Sequence, residues 1–173
     1  MNKFNDSTNT DNKEVFKKIK NAYLKLLKND SYLLDVDANE RSITHRLAIY
    51  LEDEFPDYNV DCEYNRNGAE IKRITEIFNN IISQNAISIT NKTGNTVSVY
   101  PDIIIHHRGT DDNFIVIEAK KTTNNNGNDE QKLKAYKDVL HYKHAFFIEF
   151  PVKNKKTDIV NFNGNIDDYI QEK

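Results

Sequence analysis

A mixed α/β domain, with a central sheet flanked by helices, is the fold class this sequence predicts. Three observations carry the prediction. Apolar residues recur at spacings of three and four near the start of the chain, as on a helix that buries one face. Two runs rich in β-branched residues, about Val97 to His107 and Asn113 to Lys121, flank a polar turn as two strands would. A further helical stripe then separates the second run from another strand-like segment, His144 to Val152.

Taken in order, Phe16, Ile19, Tyr23, Leu26 and Leu27 mark a helix over about Glu14 to Lys28, with residues 1–13 left as a flexible polar tail. A second helix starts near Asp37, buries Ile43, Leu47, Tyr50 and Leu51, and closes before Pro56. Tyr58 to Tyr64 alternates around Val60 and Cys62 and predicts a strand. Asn65 to Gly68 reads as a turn, and Ile71, Ile74, Phe78, Ile81 and Ile82 as an extra helix inserted before the hairpin. Asn91 to Asn95 and Thr122 to Asn128 are polar loops, and Leu133, Tyr136, Val139 and Leu140 give the helix after the hairpin. Ile166, Tyr169 and Ile170 suggest a short terminal helix. One domain over 14–173 accounts for the whole pattern.

The chain has 173 residues, enough for one buried core, and its 38% hydrophobic and 29% charged residues are those of a globular protein. A net charge of −3 argues against a uniformly basic coat for nucleic acid. Lysines 120, 121, 132, 134, 137 and 143 nevertheless outnumber the acids among them, so a local basic strip or a solvated helix face is expected. No apolar run approaches the ~20 residues that cross a bilayer, and the N-terminus lacks an apolar export signal. With Cys62 as the sole cysteine, a reducing cytoplasm is the expected location, and no membrane partner is expected.

The chemistry concentrates in the hairpin. If Tyr100 to Ile105 pairs with Phe114 to Lys120 about a turn centred on Thr110, Asp102 stands directly opposite Glu118. Opposed residues have Cβ atoms about 4.5–5.5 Å apart, where like charges repel. Lys120 shares the face of Glu118. Two crowded carboxylates call for a shared proton or a cation, and Mg²⁺ commonly uses only one or two carboxylates, leaving water and phosphate to complete its shell. An ammonium beside them suits a transition state that develops negative charge. His45, His106, His107, His141 and His144 form no joint pattern and read as structural or surface residues.

Pro101-Asp102 followed by Glu118-Ala119-Lys120 resembles the signature of the PD-(D/E)xK nuclease superfamily, the restriction-endonuclease-like enzymes, over about residues 37–152. The resemblance implies a restriction-endonuclease-like fold and a Mg²⁺-dependent phosphodiester hydrolase, with Mn²⁺ as a substitute ion. It implies metal binding by Asp102, Glu118 and the backbone carbonyl of Ala119, with Lys120 catalytic. Glu40 matches the place of a further acid on the preceding helix, the preferred reading; the rival is the N3 residue of a capping box opened by Asp37. Leu133 and Tyr136 have the spacing of the RecB-type branch, with Lys132 where that branch has glutamine. Lys121, Lys132 and Tyr136 are the expected nucleic-acid contacts. DNA is the expected substrate, in a defence, restriction or repair setting, and double-strand cleavage would call for a homodimer. The alternative is a catalytically idle nuclease-fold module that binds nucleic acid or protein.

Overall fold

A computed structural model describes residues 4–64, 66–67, 70–71, 73–75, 96–98, 100–123 and 129–153. The chain opens with three helices, α1 (Phe4–Asn29), α2 (Ser31–Asp35) and α3 (Glu40–Glu54). Strand β1 (Asn59–Cys62) follows, then the short strands β2 (Arg66–Asn67), β3 (Glu70–Ile71), β4 (Arg73–Thr75) and β5 (Thr96–Ser98). Last come β6 (Ile103–His106), β7 (Asn113–Lys121), the helix α4 (Asp129–Leu140) and β8 (His144–Phe150).

The main sheet has the order β1-β6-β7-β8. The first two pairings are antiparallel and β7 runs parallel to β8, so the sheet is mixed and the mixed α/β class is observed. A parallel neighbour cannot be reached by a tight turn, and α4 makes the crossover. Helices cover both faces. Ile103, Ile105, Ile115 and Ile117 pack with Ile19 and Leu26 of α1 and with Ile43, Leu47 and Leu51 of α3. Ile104 and Val116 pack with Leu133, Ala135, Tyr136 and Leu140 of α4. All four residues of β6 are buried for this reason, as continuous apolar strands usually are. The Tyr23 hydroxyl donates to the Glu149 carbonyl at 3.0 Å and pins α1 to β8. Among the described residues no helix is long and apolar enough to cross a membrane.

Three expectations need correction. Helix α1 starts at Phe4, so the segment read as a tail from residue 4 onward is helical. Ile71 and Ile74 lie in strands, Ile74 opposite Val97 of β5, so no helix starts at Ile71. Isoleucine is β-branched and serves strands well, and a spacing of three cannot separate the two states over so short a run. Phe78, Ile81, Ile82, the loop 91–95 and the terminal helix at 166–170 fall outside the described residues. Finally, α3 is capped by Asn39, whose side chain accepts from the Arg41 N–H at 2.9 Å. Glu40 is therefore the first helical residue and not the N3 member of a capping box.

Candidate active site

The hairpin has the register the sequence predicts. Ile103 faces Ile117, Ile104 faces Val116 and Ile105 faces Ile115, with a shift only at His106, which pairs with Asn113 near the turn. Asp102 stands one residue before β6 and closes the open end of the ladder with its side chain, since its Oδ2 accepts from the Ala119 N–H at 2.8 Å. Its own carbonyl accepts from the Glu63 N–H at 3.2 Å. An aspartate that caps the ladder this way is held rigidly beside Glu118.

Glu118 is 2% exposed, and both of its oxygens are engaged. The Tyr136 hydroxyl donates to Oε1 at 2.9 Å, and Lys132 Nζ lies 3.2 Å from Oε2. Lys132 and Tyr136 are four residues apart on α4, so they share the face turned to β7. Burial drives the Glu118 carboxyl up to about 7; Lys132 and the Tyr136 hydroxyl oppose the rise, and the nearby Asp102 adds to it. Asp102 is likewise raised by burial, against the Ala119 N–H and the charges of Lys120 and Lys132. Two acids thus meet where negative charge is costly, and cations gather beside them.

Lys120 reaches to 3.9 Å from Glu40 Oε1. Glu40 Oε2 accepts from the Lys121 N–H at 3.0 Å, which fastens the start of α3 to the end of β7. A cavity of about 340 Å³ opens here, lined by Glu40, Arg41, Thr44, Cys62, Glu63 and Asp102. Arg41 pairs with Glu63 at 2.7 Å across it. Burial and the surrounding acids push the Cys62 thiol up to about 11, so it is no nucleophile at neutral pH.

Asp102 is close enough to act on Glu118 and to be acted on by Lys120, while Glu40 meets Lys120 and lines the cavity with Asp102. Among the described residues no three His, Cys, Asp or Glu side chains group closely enough to hold a metal ion. Glu40 Oε2 accepts from the Lys121 N–H as Asp102 Oδ2 accepts from the Ala119 N–H, so each carboxylate already serves the backbone with one oxygen. A hard divalent ion on Asp102 and Glu118 would have to share or displace the partners that both Glu118 oxygens already have, Lys132 and Tyr136.

The expected nucleic-acid contacts fare differently. Tyr136 is 2% exposed and serves Glu118, so it is a support for that carboxylate and not a contact surface. Lys121 Nζ is bound to Asp37 Oδ1 at 2.8 Å and to the Ala38 carbonyl at 3.2 Å. Lys132 faces Glu118. With Lys120 on Glu40 and Lys143 on Asp112, four of the six lysines of the strip are held in separate ion pairs. The link from Lys132 and Tyr136 to Glu118 escapes the sequence reading, although their spacing on one helix and the need of a buried carboxylate for donors signal it. His106, 2% exposed, bonds Asp61 at 2.9 Å and is structural.

Replacing Tyr136 with phenylalanine removes a donor from a buried carboxylate and is expected to cost roughly 1–3 kcal/mol. Urea denaturation at about pH 8, where Glu118 is ionised, checks this; unchanged stability would show that the hydroxyl does not hold the carboxylate.

No protein-family model matches this chain, and no curated protein or solved structure matches it either.

Proposed function

We propose that this chain is a metal-dependent nuclease with a restriction-endonuclease-like fold, cutting phosphodiester bonds in DNA through Asp102, Glu118 and Lys120. The observation that carries the reading is the hairpin register, which brings Asp102 and Glu118 to one end of a ladder whose pairs from 103–117 to 105–115 are all apolar. Buried strands have little reason to carry two acids and a lysine there unless the charges act together.

Asp102, Glu118 and the Ala119 carbonyl would hold Mg²⁺ or Mn²⁺. When bound, the ion supplies a Lewis-acid contact to a phosphate oxygen and a more acidic water. Lys120 would orient the attacking water and offset the charge that develops on the phosphoryl oxygens. Glu40 positions Lys120 from the α3 side. Asp102 is kept in line by the Ala119 N–H, so the strand that offers a main-chain oxygen also fixes a carboxylate. Cleavage of both strands would need two copies of the site, as a two-fold dimer provides.

Incubation with supercoiled DNA in Mg²⁺ tests the reading. Nicking or linearisation that EDTA abolishes is expected. Intact supercoiled DNA, linear DNA and RNA after prolonged incubation with Mg²⁺ and with Mn²⁺ would sink it.

One observation favours a second reading, a nucleic-acid binding module without catalysis: both oxygens of Glu118 already have protein partners. Such a module retains DNA in EDTA, and its affinity falls steeply between about 50 and 200 mM salt without any cleavage.

A further inference from the structure

Lys132 and Tyr136 treat the two oxygens of Glu118 differently. Tyr136 is a neutral donor buried with the carboxylate, fixed within the core under α4. Lys132 approaches the other oxygen from the rim of the site, with 31% of its side chain exposed. Its charge also acts on Asp102. A compact ammonium on a flexible stem therefore stands where the fields of both carboxylates converge, the place that any cation would favour. A neutral amide at this position would steady Glu118 without contesting that place.

We propose that Lys132 is an internal counter-ion, its ammonium standing on Glu118 Oε2 in the position a divalent cation takes and moving out to solvent as that cation binds. The proposal rests on the nuclease reading and adds to it a residue that sets cation affinity. Lys132 keeps the acid pair compensated in the unliganded protein, and Tyr136 keeps Glu118 aimed while the ammonium departs. The part-exposed side chain gives the ammonium a path to solvent. Apparent affinity for the cation is then the intrinsic affinity reduced by competition from the tethered ammonium.

Calorimetric titration of Mn²⁺ into the wild-type protein, Lys132→Met and Lys132→Gln, without nucleic acid, tests this. Both variants are expected to bind Mn²⁺ roughly ten-fold more tightly than wild type, since each lacks the competing charge. Equal or weaker affinity in Lys132→Gln would overturn the proposal, as would a variant pair in which only the amide preserves wild-type binding, the mark of a purely structural role. Should Lys132→Met fail to fold by circular dichroism, Lys132→Gln alone decides, because its amide still donates to Glu118. Mn²⁺ binding that is the same in all three proteins removes the counter-ion role and leaves the nuclease reading standing. No Mn²⁺ binding in any of them, together with intact supercoiled DNA, removes both.

Discussion

Substituting Asp102 with asparagine is expected to abolish cleavage, whereas Lys120→Ala abolishes cleavage and leaves cation binding intact. Asparagine keeps an oxygen for the Ala119 N–H, so the end of the hairpin stays closed and the fold is preserved. What it loses is the negative charge that would hold the ion. Lys120 is a cation and no ligand of the proposed ion; its charge acts on Asp102, and its Nζ lies 3.9 Å from Glu40 Oε1. Its removal takes away a positive charge aimed at the transition state, an effect of about 10²–10³-fold in rate. Initial rates of plasmid nicking, beside Mn²⁺ titrations of each variant, separate the two roles. Loss of Mn²⁺ binding in Lys120→Ala, or retained nicking in Asp102→Asn, would reverse the assignments.

The second large effect is on stability. The Glu118 carboxyl rises from 4.5 to about 7 on folding, chiefly because it is buried. Between those values the folded chain holds a proton that the unfolded chain has released, so the stability that Glu118 contributes is greatest below about pH 4.5 and is lost as pH rises through 7. The difference amounts to about 3 kcal/mol. Glu118→Gln keeps an acceptor for the Tyr136 hydroxyl and carries no titration. In EDTA, the stability of wild type relative to this variant is therefore expected to fall by about 3 kcal/mol between about pH 4 and pH 8. Parallel denaturation curves for the two proteins would show that burial does not perturb Glu118.

The central part of this fold is legible in the sequence for definite reasons. Ile103, Ile104 and Ile105 face Ile117, Val116 and Ile115, and two apolar arms of matched length about a polar turn leave few other registers. The α3 stripe of Ile43, Leu47, Tyr50 and Leu51 is buried as its spacing requires. Elsewhere local pattern gives way to tertiary contact. Ile71 and Ile74 carry a helical spacing, yet strand partners fix them as extended. At the start of α3, Asp37 and Asn39 are both capable caps; Asp37 turns to Lys121 and Lys153, leaving the cap to Asn39. The site divides the same way. Asp102 and Glu118 follow from strand arithmetic, whereas the use of Lys132 and Tyr136 depends on how α4 crosses the sheet, which no local spacing encodes.

The most direct test of the Asp102–Glu118–Lys120 assignment is nicking of supercoiled DNA in Mg²⁺ by wild type and Glu118→Gln, prepared identically and each repeated in EDTA. The expected result is nicking by wild type in Mg²⁺ alone, with the variant folded and inactive. Equal nicking by both proteins, or none by wild type, would contradict it.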